Sequence, residues 1–403
     1  MKKQSIILVL LLSFLVFITA CDEYATSVDP LIDQVEDERL TSEDQINFVI
    51  NGVHTEFTDV VEQIQLLSGL LADELIFDQR VPNATFPTFD NIDDGEILYT
   101  DNSIDGCFNA LGQVRFFADN LVERAGNIDF SDNALMNKAY FYGYMYGGIA
   151  RMFYAGYFAV DETTPGGVID AGPFIPQADM YDLAMEKLNL ALDYAADDYQ
   201  TKLVNTLLAR MYMNQNDYAN AATYAADGLV EGDEPYQAKY TVEDPNWWWT
   251  QGGRGRSQVV LDFRFKDYVD EDAEEEARVL LDPITGSDGT IFYRQGKYLY
   301  ENSPINFITW QEAYLILAEC ALNGQTTAMS ALDYVNAVRA SHGISDLDDV
   351  DMEALMEERD KELMCTGSRL PDQHRWDIFH LETGKWEYFP IPESERNANP
   401  NID

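Results

Sequence analysis

The stretch TKLVNTLLARMYMNQNDYANAATYAADGLV, residues 201–230, restricts the fold more than any other part of this chain. Apolar residues return every three or four positions on both sides of the short NQND break, which predicts a helix, a tight turn and a second helix. Ala209, Ala221 and Ala225 are small enough to let the two backbones approach closely. A helix pair of this kind stacks apolar face on apolar face with its neighbours. The pattern is that of a tetratricopeptide unit, with NDYANAATYA as its second helix. A looser copy is TWQEAYLILAECALNGQTTAMSALDYVNAVRA, residues 309–340. Other material separates the two units, so the expectation is a helical scaffold that does not run as one clean array.

The same spacing predicts helices over 46–75, 107–125, 134–160 and 178–195. The third is so aromatic that it should be buried on most sides. Residues 76–104 and 161–177, rich in Asp, Asn, Pro and Gly, read as loops, and a long structureless stretch inside a domain is usually functional. Strands are few: RSQVVLDFRFKDYV (256–269) alternates and is β-branched, and GTIFYRQGKYLYENS (289–303) reads as a strand or hairpin. KWEYFPIPESERNANPNID closes the chain with proline-punctuated, non-helical backbone. The fold class is therefore mainly α: a tetratricopeptide-like helical-repeat scaffold with irregular loops and a few short strands.

At the N-terminus, Lys2 and Lys3 precede an apolar run from Ile6 to Phe17. The run has signal-peptide length and is shorter than the ~20 residues of a membrane-spanning helix. It ends in Ile18-Thr19-Ala20-Cys21, small residues directly before a cysteine, which resembles a bacterial lipobox. Residues 1–20 then read as a lipoprotein signal peptide, Cys21 as the lipidation site and residues 21–40 as an acidic tether. The rival is ordinary A-x-A-type cleavage beside an incidental cysteine. Several acyl chains, at ~0.8 kcal/mol per buried CH₂, would hold the chain on a membrane. The remaining cysteines, Cys107, Cys320 and Cys365, form no CxxC pair, so a zinc site or redox dithiol has little support. Cys320 and Cys365 lie in helical patterns and read as small buried hydrophobes. The net charge of −45 argues against nucleic acid and anionic lipid surfaces as partners.

The sharpest local signal is EDPNWWWTQGGRGR, residues 243–256. Trp247, Trp248 and Trp249 cannot all face one way on regular structure, and an indole exposed in a loop stacks on the C–H face of a sugar. Arg254 and Arg256 follow, cations in an acidic chain, able to grip a carboxylate or sulfate through two hydrogen bonds. The alternative is that the tryptophans plug the joint between helical units and the arginines pair with surface acids. The 76–104 loop offers Arg80, Phe86, Phe89 and Tyr99 as further ligand contacts, and YRQGKYLY (293–300) is a third aromatic-basic patch or simply a strand with one wet face. In DNIDDGEILYTD, Asp90, Asp94, Gly95 and Asp101 fall at positions 1, 5, 6 and 12 of a calcium hand-loop. Ile92 at position 3 rules that motif out, and a looser structural calcium site stays open. RLPDQHRWDIFH places His374 near Asp372, Asp377 and His380, but no nucleophile motif accompanies it. GGRGRSQ lacks the third glycine of a dinucleotide loop and precedes a strand.

In order along the chain, LLADEL (70–75), FFADNLVE (116–123), IPQADMYDLAMEKLNLAL, EAYLILAECAL with ALDYVNAVRA, EERDKELMCTGSRLPDQHRWD (357–377) and FPIPESERNANPNI (389–402) resemble the SusD/RagB family of nutrient-binding outer-membrane lipoproteins of Bacteroidota. Glu319, Asn336 and Arg339 stand where that family carries them. The resemblance implies a single SusD-like domain over 41–403, with an N-terminal part 41–240 and a C-terminal part 241–403. It implies a protein held on the outer face of the outer membrane by its lipid anchor. It would capture oligosaccharides, or in some members peptides, and pass them to a SusC-like TonB-dependent transporter, with no cofactor and no catalysis. Ligand-groove contacts from the 76–104 loop, Arg80, Phe86 and Tyr99 among them, follow from it as well. The chain is short for the family and CTGSRLPDQHRWD is a variant of its usual form, which implies trimmed ligand loops. Two other classes stay open: a lipid-anchored glycan-degrading enzyme, and a structural tetratricopeptide adaptor with no small-molecule ligand.

Overall fold

The computed structural model describes residues 40–402. The expected signal peptide, the expected lipidation site Cys21 and nearly all of the expected tether lie outside the described residues.

Helices dominate. Five of them start at an aspartate cap that draws on the chain's acid surplus. Asp101 caps the helix Asn102–Gly126, Asp132 caps Asn133–Tyr157, Asp197 caps Asp198–Asn214, Asp217 caps Tyr218–Ala226 and Asp351 caps Met352–Glu362, each carboxylate accepting from the backbone of the first turn. In chain order the helices are α1 (Ile46–Leu71), α2 (Pro87–Asp93), α3 (Asn102–Gly126), α4 (Asn133–Tyr157), α5 (Gln177–Leu192), α6 (Asp198–Asn214), α7 (Tyr218–Ala226) and α8 (Trp247–Thr250). They continue with α9 (Arg264–Glu271), α10 (Trp310–Leu322), α11 (Ala331–Ser341), α12 (Met352–Glu362), α13 (Arg369–Arg375) and α14 (Glu393–Ala398).

Successive helices pack side by side from α3 through α4, α5 and α6 to α7. The predicted helix pair is α6–α7. Asn216 takes the left-handed conformation in its turn, and Ala209, Ala221 and Ala225 are all buried. The looser copy is α10–α11, whose second helix opens on a Ser330/Asp333 capping box. Its first helix, α10, packs directly on α7 and also touches α6. The two units that the sequence separates are thus stacked neighbours in space. The aromatic helix α4 is buried along its C-terminal half as expected. Two glycines let it lie between partners: a Cβ on Gly143 would stand 2.7 Å from Val122 of α3, and one on Gly148 would stand 2.8 Å from Leu188 of α5.

Strands are short. β1 (Leu75–Ile76), β6 (Val260–Leu261), β8 (Ile291–Gln295) and β7 (Leu281–Thr285) form one sheet in the order β1-β6-β8-β7. A second sheet joins β2 (Phe158–Asp161), β3 (Thr164–Gly167), β4 (Ile175–Pro176) and β10 (Phe389–Pro390), and β5 (Tyr236–Ala238) pairs with β9 (Ile305–Ile308).

Several expectations need correction. The 76–104 loop contains a helix, α2, whose Phe89 and Ile92 enter the core. The 161–177 loop carries the β3 and β4 pairing. The strand expected over 256–269 is two residues long and gives way to α9, because Phe265 and Val269, four apart, bury one helical face. The C-terminal tail is not wholly extended: α14 follows Pro392. Cys365 lies past the end of α12 in a left-handed turn, although it is buried and free, as are Cys107 and Cys320.

Candidate functional site

The β7–β8 hairpin organises the part of the surface that the sequence singled out. Asp282 of β7 stands opposite Arg294 of β8, and the guanidinium reaches the carboxylate at 2.7 Å. Arg254, from the loop before β6, grips the same carboxylate with Nε at 3.0 Å and Nη2 at 2.9 Å while half of its side chain stays exposed. Burial would raise the pKa of Asp282, but the hydrogen bonds from Arg254 and the charge of Arg294 outweigh it and hold the carboxyl below its usual range. One acid therefore serves two cations, and the three groups together keep a net positive charge in a strongly acidic chain.

At the hairpin tip, Arg80 pairs with Asp78 and with Asp288 at 3.1 Å, its guanidinium 5.2 Å from the Phe292 ring. Three strand residues, about 3.3 Å each, put this tip about 10 Å from the Arg254–Asp282 pair. The loop carrying Thr85 and Phe86 is pinned to the sheet by buried Gln258, whose Oε1 accepts from both backbone N–H groups at 2.9 and 3.0 Å. Arg256 then lies 4.3 Å above the Phe86 ring and donates to Thr85. It has no carboxylate partner among the described residues.

Side chains alternate across β7 and β8, so Pro283 and Tyr293 face away from Asp282 and Arg294. A cleft of about 460 Å³ opens beside the hairpin, lined by Arg254, Tyr293, Pro283, Lys266, Asp282 and Glu276. That volume is in the range of small-molecule sites. The structure thus gathers Arg80, Phe86, Arg254 and Arg256 around one hairpin and seats Arg254 in a ligand-sized cleft. Lys266 and Asp282 are lining residues the sequence did not reveal. Tyr293 and Arg294 were visible in the YRQGKYLY patch.

Tyr99 lies elsewhere. Its ring is 4.2 Å from the Arg396 guanidinium and edge-on to Trp386, and its carbonyl accepts from Glu393 at the start of α14. The tryptophans also differ from expectation. They form a helical turn, α8, capped by Asn246, rather than an open loop. Trp248 is fully buried and has no face to offer a sugar: its indole N–H donates to Gln65 at 3.2 Å and its ring packs on Gly252. Trp247 and Trp249 are half-buried, the latter against Gly255.

His374 stacks on Tyr388 at 4.1 Å with Nε2 on the Glu387 carbonyl, a packed position. Around it Glu319 takes both Arg375 and the Trp376 indole, and Asp372 is shared by Arg359 and Arg375, all deep in the interior. Asp101 of the tested calcium loop caps α3, and Asp93 accepts from the Phe77 N–H at 2.8 Å. Among the described residues no group of three or more His, Cys, Asp or Glu side chains is placed to hold a metal, and no helix is long and apolar enough to cross a membrane.

Residues 300–387, which hold this buried ion network, match the family model described as the SusD family. No curated protein matches the sequence. Among solved structures, a SusD superfamily protein from Bacteroides thetaiotaomicron VPI-5482 superposes with a TM-score of 0.74 at 17% identity, covering 90% of this chain and 99% of that one. A laminarin-binding SusD-like protein gives 0.69 at 15% identity over 88% of this chain and 97% of its own. Surface glycan-binding protein A from Bacteroides thetaiotaomicron gives 0.69 at 15% identity over 90% and 98%. This chain thus carries the SusD family's sequence pattern over residues 300–387 and is similar in fold to a SusD superfamily structure over nine-tenths of its length.

Proposed function

We propose that this protein captures glycans at the cell surface and presents them to a SusC-like TonB-dependent transporter, without chemical turnover. The observation that carries the reading is the SusD-family match on a fold shared with two proteins named for glycan binding. The cleft beside Arg254 supplies what a sugar needs. Tyr293 offers an aromatic ring, Arg254 and Lys266 donate hydrogen bonds, and Asp282 accepts them. Arg254, half-exposed at the cleft, can grip the carboxylate or sulfate of a uronic or sulfated glycan through two hydrogen bonds. Lipidation at Cys21 would hold the protein on the outer membrane, with residues 22–40 as spacer, and the stacked helices would form the transporter-facing side. A peptide ligand is the alternative within the same role.

The test is calorimetric titration of the purified protein with neutral, uronic and sulfated oligosaccharides and with peptides, analysing the same samples for products. Saturable binding without products is expected, strongest for an anionic glycan and weakened by Arg254→Ala. Product formation would replace capture with catalysis, and silence across the panel would remove the glycan reading.

A further inference from the structure

A second cavity, of about 480 Å³, lies where α1, α4 and the segment after β5 meet, and it shares no lining residue with the cleft. Its floor is Phe57 and Tyr146, both fully buried, with Tyr236 beside them; Tyr142, Tyr240 and His54 form its walls. The rings are held in place by their polar ends. His54 Nδ1 is 2.5 Å from the Tyr146 hydroxyl, which also meets the Tyr236 hydroxyl, and Tyr240 donates to the Thr58 carbonyl at 2.8 Å. Tyr142 lies nearly parallel to Tyr146, at 19°, and edge-on to His54 at 4.6 Å. Aromatic faces fixed in this way bind without losing side-chain freedom.

Burial, helped by Lys138 and Lys239, holds the His54 imidazole at a pKa of about 4, so it is neutral at physiological pH. A neutral ring presents Nε2 as a donor when Nδ1 accepts from Tyr146 and as an acceptor when Nδ1 donates to it, and a sugar hydroxyl satisfies either. Gln237 and Thr55 add an amide and a hydroxyl, and the mouth carries one charge of each sign, Lys239 and Asp244. Apolar ring faces, several hydroxyl and amide partners and balanced charge suit an uncharged polyhydroxylated ring.

We propose that this tyrosine-lined cavity is a second, independent carbohydrate site, and that it takes a neutral pyranose. A chain with both sites would hold one glycan at two places or discriminate branches from backbone.

The chain has four histidines, and the other three lie elsewhere, so His54 is a reporter for this cavity. The experiment is NMR of histidine-labelled protein, with His54 assigned by its loss in His54→Gln. It is titrated with the methyl glycosides of glucose, galactose, mannose and xylose, their common disaccharides, and tetramethylammonium. At least one neutral glycoside should shift the His54 ring signals saturably, and Arg254→Ala should leave that shift unchanged. Tyr142→Ala should weaken the binding at least tenfold. Thr55→Trp, which fills the exposed mouth without removing a buried ring, should do the same. A His54 signal unmoved by every sugar, a shift untouched by both variants, or a response to tetramethylammonium alone would overturn the proposal. Calorimetric binding that Arg254→Ala removes while His54 stays still would leave the cleft reading standing and end this one. The converse result would end the cleft reading and keep this one.

Discussion

Trp248→Ala separates a core tryptophan from a ligand contact. The ring is fully buried against Gly252 and near Tyr298, and its N–H meets Gln65 Oε1. Gln65 in turn donates to the Asn306 carbonyl, and Gln295 donates to the Trp248 carbonyl, so the indole sits where α1, β8 and β9 come together. Removing a buried tryptophan side chain costs about 3–5 kcal/mol through lost transfer energy and the cavity left behind. A folded chain of about 360 residues, at about 2.1 cal/mol/K per residue, has an unfolding entropy near 0.75 kcal/mol/K at its midpoint, so each kcal/mol moves Tm by about 1.3 °C. Trp248→Ala should therefore lower Tm by about 4–7 °C in scanning calorimetry. Trp248→Phe keeps much of the ring but strands Gln65 Oε1, which costs about 1–3 kcal/mol and about 1–4 °C. Both variants, folded at 20 °C, should bind the best glycan with unchanged Kd. A Trp248→Ala protein within about 1 °C of the parent, or one with intact Tm and lost binding, would refute the core assignment.

Arg254→Ala should weaken an anionic glycan by about tenfold or more, the worth of a charge-assisted hydrogen bond of about 1.5–3 kcal/mol, and Arg254→Lys should recover only part of it in calorimetry. Glu319→Ala removes the acid that faces buried Arg375 and should cost about 3–5 kcal/mol, read as a lower urea midpoint with an unchanged slope. Burial raises the Asp93 carboxyl to about 7, against a smaller lowering by the Phe77 N–H. The native state therefore binds this proton more tightly than the unfolded chain does between about pH 4 and 7, and stability falls as pH rises through that window. Asp93→Asn should be more stable than the parent at pH 8 and equal to it below about pH 4 in urea titrations, and an identical pH dependence in the two proteins would contradict this.

The helices, their caps and the α6–α7 unit were legible in the sequence because they are local. A 3.6-residue spacing, an Asp before an apolar run and an NQND break each act within a turn or two. The family pattern in 300–387 was legible for a related reason: Glu319, Arg359, Asp372 and Arg375 are buried ions, and buried ions need particular partners. What the sequence could not settle depends on which element covers which. α10 packs on α7 although the β6–β9 segment intervenes. The three tryptophans divide into one buried ring and two half-buried ones only because α1 supplies Gln65 and Leu66 beneath them. Arg254 gains a cleft, and Tyr99 leaves for the C-terminal segment, through contacts between residues far apart in the chain. The aromatic run YFYGYMY announced a buried helix. The cavity lined by Tyr142 and Tyr146 exists only because β5 and the segment after it bring Tyr236 and Tyr240 to the same place. Periodicity fixes which face of an element is apolar; the long-range packing that covers that face, or leaves it open to a ligand, is decided by the whole fold.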